Sequence, residues 1–124
     1  MAVQITGLDS LMRKLDNMGG DVLDALDKAV RQTTEVARGD ARQNAPVDTG
    51  ALKGSISTEF DRNAESSTGT VYTNIEYGLY QEMGTVNMPA HPFMMPALNA
   101  NKDTFEQLAR SELESAIRRT AGGG

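Results

Sequence analysis

The stretch DVLDALDKAVRQTTEVARGDARQN, residues 21–44, decides the architecture. Val22, Leu23, Leu26, Val30, Thr33 or Thr34, Ala37 and Ala41 recur at three- and four-residue steps and line one face of a helix. Asp24, Asp27, Lys28, Arg31, Glu35, Arg38 and Arg42 fall on the opposite face, which reads as solvated. Asp21 suits the N-cap, and Asp24 stands in the first turn, where the helix dipole favours an acid. Pro46 forbids continuation and biases Ala45 away from helical torsions. The spacing therefore predicts one long amphipathic helix over residues 21–44.

Upstream, Val3-Gln4-Ile5 alternates as a short strand. Leu8, Leu11, Met12 and Leu15 then have helical spacing up to Gly19-Gly20. Downstream, Pro46 and Asp48-Thr49-Gly50 make a structural turn, with Gly50 at positive φ. Ser55–Phe60 and Thr70–Ile75 are rich in β-branched and aromatic residues and read as an antiparallel hairpin. The polar stretch 61–69 between them is longer than a tight turn requires, so it is expected to reach outward. Residues 77–83 form one or two helical turns ended by Gly84. Pro89, Pro92 and Pro96 exclude regular structure over 85–96. A last helix is expected from Pro96 to Arg119, with a stripe of Leu98, Phe105, Leu108, Ala109, Leu113, Ala116 and Ile117. The fold class is α+β: a small antiparallel sheet packed by two long helices, one domain over residues 1–120, with residues 121–124 a flexible tail.

The chain of 124 residues suits one modest core. It has no cysteine, so disulfide and thiolate chemistry are excluded. No apolar run is long enough to span a membrane, and Met1–Ile5 lacks the pattern of a secretory signal, which favours a cytoplasmic site of synthesis. Seventeen acids against twelve bases leave a net charge of −5, which disfavours tight non-specific DNA binding. Such a surface can stand beside DNA without gripping it.

Three constellations invite chemistry. Val47-Asp48-Thr49-Gly50-Ala51 has the Asp-Thr-Gly core of retroviral-type aspartic proteases, whose mechanism opposes two such carboxylates. Here the triplet follows a helix and a proline rather than a strand, and the supporting apolar-Gly-Arg-Asp segment is missing, so a plain turn explains it better. His91 is the single histidine, with no acid or cysteine at metal-ligand spacing. Met83, Met88, Met94 and Met95 cluster. Flexible thioethers suit an adaptable contact or an aromatic-poor core, and Met95 reads as core.

Two segments taken together carry a resemblance. The first is Ala45-Pro46-Val47-Asp48-Thr49-Gly50-Ala51-Leu52-Lys53-Gly54-Ser55-Ile56. The second is Tyr77 or Tyr80, then Glu82-Met83-Gly84-Thr85, then Ala90-His91-Pro92-Phe93-Met94-Met95-Pro96-Ala97-Leu98. In this order and spacing, over residues 5–120, the chain resembles the tail-completion, or head–tail joining, proteins of long-tailed bacteriophages, the lambdoid and Hong Kong-type group. It departs from them at Met95, where a basic residue is expected.

The resemblance implies a structural virion protein at the neck, assembled in the host cytoplasm, with no cofactor and no catalysis. It implies a homo-oligomeric ring, sixfold in related proteins, between the tail tube protein and the head-closure or connector protein, through which DNA passes. Another neck ring, an adaptor or head-closure protein, is the alternative. The expected subunit or partner contacts are Tyr80, Glu82, Met83, Gly84, Thr85, Met88, His91, Pro92, Phe93 and Met94, together with Arg62, Asn63 and Glu65 of the polar loop. Phe93 and Leu98 are also expected to be buried.

Overall fold

The computed structural model describes residues 2–6, 20–46, 50–63 and 66–122. In chain order these form β1 (Ala2–Thr6), α1 (Gly20–Asn44), α2 (Ala51–Ser55), β2 (Ser57–Arg62) and β3 (Ser67–Tyr72). Then come α3 (Glu76–Met83), α4 (Met94–Ala100) and α5 (Lys102–Gly122). The expected short helix around Leu8–Leu15, the Asp48-Thr49 part of the turn, Glu65 and the last two glycines lie outside the described residues. The architecture is α+β in a single small domain, as the pattern predicted.

Helix α1 begins at Gly20, which puts Asp21 inside the first turn rather than at the cap. Its buried face is the predicted one, widened by Ala25 and Ala29. Small residues dominate it, so neighbouring elements approach closely. Thr33 and Thr34 are fully buried, and their hydroxyls donate back to the carbonyls of Ala29 and Val30 at 2.7 and 2.6 Å. That bond removes the cost of burying a free hydroxyl.

The sheet has strand order β1–β3–β2, antiparallel throughout. Val3 pairs with Val71, and Ile5 with Gly69, which faces Phe60 of β2 on its other side. Ser67, Gly69 and Val71 turn one face of β3 towards α1. At the crossing a Cβ on Gly69 would stand 1.9 Å from Thr34 Oγ1. Only glycine permits that approach.

The hairpin corrects the sequence reading. Strands β2 and β3 pair out to Arg62↔Ser67, so Asp61 and Arg62 belong to the ladder and residues 63–66 make the connection. Asn63 closes it: its N–H donates to Ser66 O and its Oδ1 accepts the Ser66 N–H, at 3.0 and 2.9 Å. Polar residues read as loop are strand because their partners on β3 complete the ladder.

Two apolar clusters meet at Phe105. One joins the C-terminal half of α1 to Leu52, Ile56, Val71, Phe93, Met94 and Ala97. The other joins Val22, Leu26 and Ala29 to Ala109 of α5. The single last helix expected from Pro96 is instead α4 and α5, broken at Asn101. Asn101 Nδ2 donates to the Ala97 carbonyl at 2.8 Å, the acceptor its own amide would use in an unbroken helix, and to Asp40 Oδ2 at 2.7 Å. Its amide takes Leu98 O instead. Helix α5 continues to Gly122, past the start of the expected tail. Ile117, read as part of the core stripe, is 43% exposed, and Leu98 is half-buried.

Asp27 also differs from its assigned solvated face. The hairpin end covers it, so it is buried. It accepts Ser67 Oγ at 2.7 Å and Arg31 Nε at 2.9 Å, with Arg62 3.6 Å away. Burial alone would push its carboxyl up. The bonds from Ser67 and Arg31 and the charges of Arg31 and Arg62 outweigh that, and hold it below the ordinary carboxylate range.

Gly69→Ala should overpack the α1–β3 crossing and cost about 1–3 kcal/mol in urea unfolding. Thr34→Ala in the same chain should recover part of that loss, because it removes the nearest atom. Simple additivity of the two would disprove the crossing geometry. For Asp27 the lowered native pKa means that the ionised form favours the fold. Its contribution is present above the unfolded carboxylate value of about 3.9 and is lost as pH falls through the native one. Asp27→Asn should therefore unfold with a flatter pH dependence than the parent chain between about pH 5 and 2.

Candidate interaction surface

The segment after α3 is organised by one carboxylate. Glu82, in the last turn of α3, is buried. Its Oε1 accepts the backbone N–H of Phe93 at 3.0 Å and of Met94 at 2.8 Å, and its Oε2 accepts that of Met95 at 3.1 Å. These are the free amides at the start of α4, which no side chain of its own caps. A carboxylate is the strongest acceptor available for them. The bond ties two helices together across residues 84–92.

That connection is itself ordered. Gly84 ends α3 at φ 77°, with its N–H on Tyr80 O at 2.7 Å. A Cβ there would stand 2.9 Å from the Ala90 amide and 3.0 Å from the Met88 carbonyl, so both φ and packing require glycine. Thr85 and Met88 exchange backbone bonds around a tight turn, and Thr85 Oγ1 accepts the Asn87 amide. His91 N–H donates to Gln81 O at 2.7 Å. Gln81 is buried beneath, its Nε2 on the Tyr77 hydroxyl and its Oε1 without a partner among the described residues.

The predicted contact residues therefore divide. Phe93 is fully buried, as expected of it, and so is Met94. With Glu82 they hold the segment from inside, and none of the three is open to a partner. Tyr80, Met83, Thr85, His91 and Pro92 are exposed, and Gly84 and Met88 are half-buried. The Tyr80 hydroxyl donates to Glu76 Oε1 at 2.8 Å. That bond and the Glu76 charge hold the phenol above its ordinary pKa.

Met95, read as core, is 45% exposed because the α4 turn that buries Met94 faces it outward. Leu79 and Val86 are exposed apolar residues that the sequence reading did not single out. For Val86 the signal was there: a β-branched apolar residue alone in a Gly-Thr-x-Asn turn has no core to enter.

The hairpin residues stand elsewhere. Arg62 pairs with Asp24 and Asp27 near the start of α1, while Asn44 at its end lies 3.5 Å from the Phe93 carbonyl. Twenty helical residues separate those places by about 30 Å. Arg62 is drawn back onto α1 rather than outward, and Asn63 is occupied in closing the turn. At the structural turn, Gly50 has φ 76°, as expected, and Pro46 is half-buried. Among the described residues, no group of three or more His, Asp or Glu could hold a metal, and no helix is long and apolar enough to cross a membrane.

In this construction an acid pins a glycine- and proline-framed surface segment and fixes its exposed side chains. The family model described as "Bacteriophage HK97-gp10, putative tail-component" matches residues 9–84, more than half of the chain. The chain belongs to this HK97-gp10-like family of phage tail components, which makes it a bacteriophage structural protein of the virion. The match includes Glu82 and Gly84 and ends there, so the Pro-Phe-x-x-Pro-Ala-Leu half of the second motif lies beyond it. Neither curated proteins nor solved structures gave a match.

Glu82→Gln keeps one acceptor oxygen but turns an NH2 group towards backbone donors. It should lower the unfolding free energy by about 2 kcal/mol or more. Hydrogen exchange should speed up first at the amides of Phe93, Met94 and Met95. Unchanged protection at those three would show that the carboxylate does not hold the segment.

Proposed function

We propose that this tail component completes the tail at the neck, as a ring-forming subunit that joins the tail tube to the connector or head-closure protein of the DNA-filled head. The observation that carries the reading is the segment pinned by Glu82, which combines a rigid frame with outward apolar side chains. A joint between two preformed assemblies needs such a surface. Ordering it in advance lowers the entropy lost on docking. Pro89, Pro92 and Pro96 act in the same sense.

The ring is the homo-oligomer implied by the resemblance, sixfold and built from unlike faces of successive subunits. The net charge of −5 suits a ring through which DNA slides without being gripped. No cofactor and no catalytic step enter this reading. The Asp-Thr-Gly triplet, which lies between α1 and α2 in the chain, has no catalytic part in this reading. Assembly takes place in the host cytoplasm, on the finished tail tube.

A phage lacking this protein should build filled heads and tail tubes that do not join. Electron microscopy of lysates should find both side by side, and adding the purified protein to the tails should restore infectivity. Empty heads or unprocessed head protein in the null phage would overturn the assignment to the joint.

A further inference from the structure

The chain has 29 formally charged side chains, 17 acidic and 12 basic, and only Glu82 lies within residues 77–101. Its carboxylate is buried and taken up by three amides. The exposed side chains of this stretch therefore include no Asp, Glu, Lys or Arg; the exposed Glu76, which accepts the Tyr80 hydroxyl, marks the edge of this surface, and His91 is also exposed. The same stretch holds Tyr77, Leu79, Tyr80, Met83, Val86 and Met95, six of the eight exposed large apolar residues among those described. Val86 is fully exposed and Met83 is 73% exposed.

These side chains are neighbours by construction. Leu79, Tyr80 and Met83 share one side of α3 at three- and four-residue spacing. Gly84 leads directly from Met83 into the turn that carries Val86. The Met95 amide is bonded to the Glu82 carboxylate. The other two exposed apolar residues, Val36 on α1 and Ile117 on α5, stand apart among charges. Glu35 is beside the first and Arg118 beside the second, and α5 further exposes Asp103, Glu106, Arg110 and Glu114.

We infer that in the free protein this surface is covered by the same surface of a second copy of the chain, patch against patch about a two-fold axis. A charged face placed over Leu79, Met83, Val86 and Met95 would lose its water opposite groups that cannot pair with it, which is costly. Among the described residues, the other exposed large apolar side chains are the isolated Val36 and Ile117, so the matching surface on the chain is the patch again. A contact of one surface with itself is isologous and closes at two. It removes exposed apolar side chains from water, which favours association. The inference rests on charge and exposure alone. Combined with the proposed joint, it means that docking on the tail separates the two copies and frees the patch for its partner.

The test is sedimentation velocity with light scattering on the full chain, over a concentration series, at low salt and at about 1 M NaCl. A dimer is expected, as strong or stronger in high salt, since no ion pair holds it. Met83→Glu and Val86→Glu should each weaken dimerisation roughly a hundredfold, because each sets two like charges across the axis. Circular dichroism and melting should remain those of the parent, both side chains being exposed.

A monomer at every concentration, or a dimer that survives both substitutions, sinks the inference. So does a larger closed ring that these substitutions break, since the patch would then meet a different surface. A monomer that still restores joining to null tails refutes the dimer and leaves the proposed function standing. A dimer that fails to restore joining does the reverse.

Discussion

The Glu82 carboxylate holds three backbone amides, and the geometry of the whole surface segment follows from that. Without it, the first amides of α4 would be buried or half-buried donors with no acceptor, each costing on the order of 1–3 kcal/mol. With it, the end of α3 and the start of α4 are locked together. The ten residues between them close as a short, bonded loop and cannot trail free. Phe93 then enters the core directly beneath the anchor, and Met94 follows. Gly84 belongs to the same device, because the chain must reverse at positive φ while passing within contact distance of residues 88 and 90. The Glu-x-Gly-Thr and Pro-Phe-x-x-Pro-Ala-Leu motifs are thus two halves of one mechanical unit. The first supplies the acceptor and the reversal, and the second supplies the donors and the apolar plug.

A second constraint sets the scaffold. Helix α1 lies so close to β3 that the contact needs a glycine on the strand and alanines or self-bonded threonines on the helix. Close approach lets a small sheet and two helices bury a core in a chain with few aromatic residues. It also draws the hairpin end onto Asp24 and Asp27, where Arg62 and Ser67 satisfy a buried carboxylate. The polar hairpin is therefore a clasp on the start of α1, while the presented surface lies near the other end of the same helix.

These two arrangements separate the charged surface from the apolar one. Charged residues are spread over α1, α5 and the hairpin, where several of them pair within the chain. Residues 77–101 are almost free of charge and show apolar side chains to water from a rigid frame. Aliphatic and thioether side chains on the patch tolerate small mismatches with a partner, since their contacts are non-directional.

What the sequence determined by itself was whatever depends on short-range periodicity and steric rules. The apolar stripe defined α1, Pro46 stopped it, Gly50 and Gly84 marked reversals, and β-branched runs marked the strands. The ordered pair of motifs was also enough to suggest a phage tail protein. Other features rest on contacts between residues far apart in the chain. Periodicity alone gave Asp27 to solvent and one uninterrupted final helix, and the shortage of aromatic residues gave Met95 to the core. The hairpin covered Asp27, and the turn that buries Met94 left Met95 outside. Asn101, drawn to Asp40 on α1, took the carbonyl that would have continued the helix. The role of Glu82 was hidden for the same reason. A carboxylate near a helix end looks solvated until the fold brings three amides from eleven to thirteen residues downstream to meet it.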